Sequence, residues 1–450
     1  MRRQRYGPEG DAFLVHLRET EQLHAAGLVA YQERALQRVV RRAFETVPYY
    51  RRMAAEYQLR ADDIQTIADL RKLPLLEKDT IRHNPEDFLP SDPASRRAIF
   101  RLHTSGTSGM PITVYCDYPS RRRHYAFWSR LRSWFGITRD MDRATFFGRI
   151  IASPDQTQPP FWRSDRAQRN TLFSSYHLAP QNLPAYYAEL CKRSPVEIIG
   201  YPSSLFPLAC YCNSKKLTGI RPKVVFTTAE TLLSHQRAEL MHAFEAPVVD
   251  QYGCTEMVLF ASQCEQGSYH LHPEHGILEV IGPDGCPVPD GTTGEAVCTG
   301  LINDAMPLLR YRLGDRLAIA DGLCSCGRAF PQLVQVAGRV DDVLVTPSGR
   351  PLGRLDPVFK PLSGIRETQI VQTHLDRLLL RLVADATFGE RDREELLYEL
   401  GKRVGEGMQI DLEFVPFIPK DANGKFRTVI SELHRPAASG HRRDMSSRSS

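Results

Sequence analysis

Between residues 183 and 256 strand-like runs alternate with helical ones, and this alternation restricts the fold more than any other feature of the chain. LPAYYAELCKR carries apolar residues at helical spacing. VEIIGYPSSL is a short apolar run that ends in a turn. PKVVFTTAETL repeats run and turn, LSHQRAELMHAF is helical again, and APVVDQYGCTE is a third run and turn. Strands separated by helices run parallel, in a sheet whose faces the helices cover. Ligands of such sheets bind beyond the carboxyl ends of the strands. The turns 200–204, 227–230 and 251–256 all fall at those ends.

The flanking sequence completes the expected architecture. Residues 10–60 read as helical, with Val47-Pro48 ending that region, and 70–90 as a loop with one short helix capped by Asp79. Residues 119–136, PSRRRHYAFWSRLRSWFG, read as an amphipathic helix laid on the sheet through Tyr125, Trp128 and Trp134. From 268 to 336 short runs between Gly, Pro and Asp turns predict antiparallel, barrel-like strands. Beyond GRVDD at 338–342 the pattern restarts as an α+β unit of about 95 residues. The expected fold class is therefore α/β multidomain. A large N-terminal domain, 1–337, has parallel-rich sheets with helices plus a small barrel-like antiparallel region. A small mobile α+β C-terminal domain follows at 338–435, and a polar tail at 436–450 is expected to be disordered.

Composition narrows the partners. A net charge of +5 spread over 450 residues does not argue for nucleic acid. No stretch is long and apolar enough to cross a membrane, and MRRQRYGPEG is followed by no apolar signal segment. Ten cysteines at irregular spacing in such a chain predict a reducing cytoplasm, with some of the thiols buried and some on metal.

The chemistry-bearing positions lie in loops. HTSGTSGMPITVY, at 103–115, reads as strand, tight loop, strand. Gly106 and Gly109 allow successive backbone N–H groups to converge on an anion, and the hydroxyls add donors. The same residues suit an ordinary hairpin turn, and the loop alone does not decide between the two. Downstream, YGCTE puts Glu256 at a strand mouth, where a carboxylate beside phosphates suits Mg²⁺. YRLGD puts Asp315 where its two oxygens could take both hydroxyls of a ribose. PKDANGKFR raises Lys425 on a polar loop, as a counter-charge for phosphate or carboxylate. Each has a bland reading as a cap, a turn or a surface residue. A nucleotide loop of the GxxxxGK type is excluded, since Gly106 and Gly109 are three apart and no lysine follows.

Taken in order, TSGTSGMP, YGCTE, YRLGD, GRVDD and NGKFR resemble the adenylate-forming superfamily of acyl-CoA synthetases, adenylation domains and luciferases. The resemblance covers about residues 65–430. LPLLEKDTIR, GYPSSL and DQYGCTE are most similar to the phenylacetate–CoA ligase group and its capsule-biosynthesis-associated relatives. It implies that Ser105, Gly106, Thr107, Ser108 and Gly109 cradle the phosphates of ATP. Thr255 and Glu256 close the site, with Glu256 on Mg²⁺. Tyr252 flanks the adenine, the Ala229-Glu230 turn lies along the base, and Asp315 holds the ribose with help from Arg339. Asp341 matches the hinge and Lys425 the adenylation lysine. Many members carry lysine after the proline of the loop, whereas Pro111 is followed here by Ile112, a departure shared by the phenylacetate-ligase group.

The implied reaction is ATP-dependent activation of a small-molecule carboxylate as an acyl-adenylate, with pyrophosphate released, then acyl transfer to CoA. Another acceptor, an amine, a hydroxyl or a carrier protein, stays open, as do transfer of AMP itself, a homodimer, and a non-catalytic zinc scaffold. The acid is unreadable. Tyr125, Phe146, Phe147, Tyr201 and Phe260 could line an aromatic pocket, though such residues beside a sheet are more often core.

Cys264 and His270 precede Cys324-Ser325-Cys326-Gly327 by about 54 residues, a donor set suited to a closed, structural zinc site. His272 and His275 compete with His270 for the fourth place, and buried free cysteines are the alternative. A similar spacing in relatives of this group favours zinc. The other cysteines have no readable role beyond packing, and Cys254 is read as a small turn residue.

Overall fold

Twenty strands and their helices are laid out in a computed structural model that describes residues 5–96, 98–103, 112–153, 155–337, 344–349, 351–352, 355–359, 362, 364–418 and 429–433. Strands β1 (Phe100–His103) and β2 (Thr113–Cys116) form an antiparallel hairpin in the register Phe100↔Cys116 to His103↔Thr113. The strand–loop–strand reading of 103–115 is thus correct on both flanks. The loop itself, 104–111, lies outside the described residues.

Twelve strands form the main sheet. In chain order they are β3 (Arg143–Phe146), β4 (Trp162–Asp165), β5 (Asn170–Phe173), β6 (Glu197–Gly200), β7 (Val224–Thr228), β8 (Val248–Gly253), β9 (Phe260–Gln263), β10 (Tyr269–Leu271), β11 (Gly276–Ile281), β12 (Gly294–Gly300), β13 (Tyr311–Ile319) and β14 (Gln332–Ala337). Their spatial order is β11-β12-β13-β14-β10-β9-β8-β7-β6-β3-β5-β4. Neighbours from β5 through β3, β6 and β7 to β8 are parallel. The crossover helices are Pro202–Ser214 between β6 and β7 and Ser234–Phe244 between β7 and β8. The inner strands are apolar because helices cover both faces.

At β8 the sheet changes character. Only residues 254–259 separate β8 from β9, too few for a crossover, so the chain turns back and β9 pairs antiparallel. The antiparallel strands expected over 268–336 follow from there, joined edge to edge with the parallel ones. They also curl. β13 stands four places from β8, about 19 Å in a flat sheet. Yet Tyr252 on β8 and Asp315 on β13 are hydrogen-bonded at 2.6 Å. Gly276 shows the same closure, since a Cβ there would meet the Val258 carbonyl.

The helix Tyr118–Trp134 starts at Asp117, whose carboxylate accepts from the Ser120 amide at 2.8 Å. Trp128 packs edge-on to Phe226 and Phe260, as expected. Trp134 packs against the same core, its indole donating to Glu21 at 2.9 Å and its ring stacking on His272. Two arginines of this helix are buried, Arg130 on Glu274 and Arg132 on Glu197, each paired bidentately. Sequence periodicity does not reveal such pairs, because it counts charges without their partners.

Two helix expectations need correction. Pro48 opens a second helix, Pro48–Glu56, where proline at the first position costs no hydrogen bond. The short helix Lys78–His83 has Glu77 at its N-cap position, with no side-chain capping bond, and Asp79 sits in its first turn, paired with Arg82.

The C-terminal unit has its own four-stranded sheet, ordered β19 (Gln409–Phe414), β18 (Arg377–Ala384), β17 (Ile365–His374), β20 (Val429–Ser431). The short strands β15 (Leu344–Val345) and β16 (Pro351–Leu352) precede it. The helix Glu390–Val404 buries Leu396, Leu400 and Val404 against Leu378, Leu380 and Leu382, giving this unit its own core. The helix expected near 354–362 is one turn, Asp356–Phe359. Among the described residues no helix is long and apolar enough to cross a membrane.

Candidate active site

The carboxyl ends of β6, β7 and β8 lie side by side, and the turns leaving them interlock. Gly200 closes β6 where any Cβ would stand 2.7 Å from the Phe146 carbonyl, so β3 and β6 approach closely there. Ala229 takes a left-handed φ of 68° after β7, which turns Glu230 back across the sheet end. Glu230 then accepts from the Ser203 amide at 3.0 Å and the Ser203 hydroxyl at 2.9 Å, at the start of the helix Pro202–Ser214. A carboxylate is favoured at a helix N-terminus. The turn Ala229-Glu230 is thus anchored, and the Glu230 carboxylate is the anchor. Between β7 and β8, Thr228 donates to Gln251 at 2.6 Å.

The turn after β8 is tied to β13 by two phenols. Tyr252 donates to Asp315, and burial, then the Asp315 charge, push its own pKa well above the usual phenol range. Tyr311, first residue of β13, donates to Oε1 of buried Glu256 at 2.8 Å. Both carboxylates singled out in the sequence are therefore held by tyrosines at one edge of the sheet. Thr255 is half-buried in the same turn. Cys254 is no donor to a metal cluster among the described residues, and burial pushes its thiol up to about 12.

Sequence reasoning missed three contributors here. Tyr311 lies inside YRLGD, but only its aspartate was singled out. Ser203 lies inside GYPSSL. Lys78, in LPLLEKDTIR, donates from Nζ to the Leu313 carbonyl at 2.7 Å and lies 5.9 Å from the Tyr311 ring centre. Leu76 bridges to Tyr311, so the 73–78 segment runs along this edge. Basic residues in a loop carry no signal of their own; the contact exists only after β13 folds back.

The β1–β2 hairpin reaches the same turn, with Cys116 Sγ 3.6 Å from Met257 Sδ. Ser105, Gly106, Thr107, Ser108, Gly109, Arg339, Asp341 and Lys425 lie outside the described residues. Of the aromatic residues considered for an acid pocket, Phe146 and Phe260 are fully buried core. Phe147 and Tyr201 meet at the strand ends, with ring centres 5.1 Å apart.

Away from this edge, Cys264, His270, Cys324 and Cys326 converge, their ligand atoms all within 4.8 Å of one another. Cys264 Sγ and Cys324 Sγ are 3.8 Å apart, and Cys326 Sγ and His270 Nε2 are 3.3 Å apart. A tetrahedral zinc with Zn–S near 2.3 Å spaces its sulfurs at about 3.8 Å. His270 Nδ1 meets the Phe330 carbonyl at 3.2 Å, which turns Nε2 to the sulfurs. The competing histidines are elsewhere: His272 lies between Ser262 and Arg130, and His275 faces His124. The choice of His270 is thus made by the fold.

Residues 344–432 match the family model of the CapK C-terminal domain. The chain is 26% identical to protein CapK of Staphylococcus aureus over 377 residues, 82% of this chain and 81% of that one. It is also 26% identical to phenylacetate-coenzyme A ligase of Thermus thermophilus over 345 residues, 74% and 75% of the two chains. In fold it is similar to a crystal structure of 2-hydroxyisobutyryl-CoA ligase in the postadenylation state, with TM-score 0.59, 22% identity and 92% of each chain covered. The motifs, their order and this similarity agree: the chain is similar to the phenylacetate–CoA ligases and to CapK.

Proposed function

We propose that the chain is an ATP-dependent ligase that activates a small-molecule carboxylate as its acyl-adenylate, releases pyrophosphate, and then transfers the acyl group to CoA. The observation that carries this reading is the pair of tyrosine–carboxylate bonds, Tyr252–Asp315 and Tyr311–Glu256, at the carboxyl edge of the parallel strands. Such a pair would present one aspartate to a ribose and one buried glutamate to the phosphates. Tyr311 engages one oxygen of Glu256, and the other suits a hard divalent cation. Mg²⁺ there would neutralise charge building on the phosphates.

Chemistry follows from positioning and electrostatics. The substrate carboxylate attacks the α-phosphorus of ATP, the bond to pyrophosphate breaks, and the residues around the site lower the cost of the charge that develops. The loop Ser105–Gly109, read as 105–109 of the hairpin, would hold the triphosphate. Lys425 would stabilise the carboxylate and α-phosphate. Rotation of the C-terminal unit about Asp341 would then withdraw Lys425 and admit the thiol. The four-residue cluster Cys264, His270, Cys324 and Cys326 would hold a structural zinc, a closed site that leaves no position for substrate.

The acceptor is tested separately from activation. Incubation with ATP, Mg²⁺ and a panel of carboxylates should release pyrophosphate. Adding CoA, hydroxylamine or a carrier protein should then reveal which acceptor consumes the adenylate. Failure to release pyrophosphate with any acid, together with no ATP binding, would favour a zinc-stabilised scaffold.

A further inference from the structure

Arginines crowd the helix Tyr118–Trp134, and most of them have a carboxylate, as does Arg139 just beyond it. Arg122 pairs with Glu9, Arg123 with Asp304, Arg130 with Glu274, Arg132 with Glu197 and Arg139 with Asp11. Arg5 and Arg121 differ. Neither has an ion pair among the described residues, and the Nε of each is shielded from solvent without a hydrogen-bond partner. Segment 1–4, which adjoins Arg5 in sequence, contains no acidic residue. Both guanidinium groups lie over one ring, that of Tyr125, at 4.8 Å for Arg5 and 5.8 Å for Arg121. Arg121 also covers Phe100 at 5.2 Å.

Two like charges at one aromatic ring in a half-buried place repel each other. An anion bound to both would remove that cost and gain charge-assisted hydrogen bonds in the fork geometry guanidinium favours. Arg121 is linked to the candidate active site through two residues: it covers Phe100, which stands opposite Cys116, which touches Met257 in the turn that carries Thr255 and Glu256. The ring of neighbouring His124 lies 5.8 Å from that of Phe260, which pairs with Gly253. The hairpin rung that Arg121 covers, Phe100↔Cys116, is the one farthest from the loop after His103. An anion here is therefore set apart from the expected triphosphate position.

We propose that Arg5 and Arg121, over the ring of Tyr125, bind a second anionic group on the acid that is activated, so that the substrate is a dianionic acid and not a simple aromatic monocarboxylate. This rests on the carboxylate-activating reading above. The reacting carboxylate points to the nucleotide, while the remote carboxylate or phosphonate fixes the other end.

The test uses the full chain and its Arg121→Met, Arg121→Lys and Arg5→Met variants, with thermal melting to confirm that each folds. Isophthalate, glutarate and 3-phosphonopropionate serve as dianions, benzoate and valerate as monoanions, in calorimetric titration and pyrophosphate release. At least one dianion should bind about tenfold or more tightly than the monoanions. Arg121→Met should weaken it by a similar factor, Arg121→Lys by less, with the KM for ATP and CoA unmoved. Monoanions preferred by the wild type, no dianion whose binding depends on Arg121, or a KM change confined to ATP or CoA each overturn the proposal. Arg121-dependent binding of a dianion without pyrophosphate from any acid would leave the anion site standing and remove the activation chemistry instead.

Discussion

The hydroxyl of Tyr252 reaches Oδ2 of Asp315 at 2.6 Å although their strands are four places apart in one sheet. The bond closes the curled half of the sheet on itself and holds the Asp315 carboxylate at the candidate nucleotide edge. Tyr252→Phe deletes the donor and leaves the ring. It should cost about 1 kcal/mol of stability and raise the KM for ATP several-fold. Asp315→Asn should raise that KM more, through weaker bonds to the ribose. ATP-dependent pyrophosphate exchange measures both, and an unchanged KM in both variants would remove Asp315 from the nucleotide site.

Tyr311 does for Glu256 what Tyr252 does for Asp315. Glu256→Gln removes the negative charge proposed to face Mg²⁺. The adenylation rate should fall by about two orders of magnitude, and the Mg²⁺ needed for half-maximal rate should rise. Tyr311→Phe should shift the Mg²⁺ requirement in the same direction by less. A rate loss with no change in Mg²⁺ dependence would separate Glu256 from the cation.

Lys425→Ala should cut adenylation far more than thioester formation from pre-made acyl-adenylate. The two half-reactions are separated by supplying ATP and acid, or the adenylate and CoA. Equal losses in both would contradict the two-position scheme.

Asp250, buried in β8, accepts from Thr227 and Tyr269, and burial pushes its carboxyl up to about 6. The folded pKa is above the unfolded value, so the folded state holds the proton more tightly. The stabilisation is complete below about pH 4 and is lost as pH rises to about 6, with a total change of about 3 kcal/mol. Asp250→Asn should flatten the stability profile between pH 4 and 6 in urea unfolding. A profile as steep as that of the wild type would locate the titration elsewhere.

Purified protein should carry close to one zinc per chain by elemental analysis. Chelation, or Cys324→Ser, should lower Tm by several degrees, with re-addition of zinc restoring only the chelated wild type. Metal-free protein with an unchanged Tm would leave the four residues as packing.

The alternation of 183–256 determined the parallel sheet and the edge at which a site must lie, because crossover connections leave few topologies open. It also placed Ala229, Glu230, Tyr252 and Glu256 at strand ends. The motifs marked Asp315 as well, since short polar turns after apolar runs are visible without a partner. What the sequence could not supply were partners remote along the chain. Arg130 and Arg132 find their partners, Glu274 and Glu197, 144 and 65 residues away. Tyr311 became the holder of Glu256 only when β13 curled back towards β8. His270, His272 and His275 were equivalent as letters, and only the tertiary structure set one against three sulfurs and buried the other two among Arg130, Ser262 and His124. Local pattern specifies which strand and which turn, through periodicity and steric limits on the backbone. The pairing of side chains across the closed sheet depends on its curl, a property of many strands together that no single segment encodes.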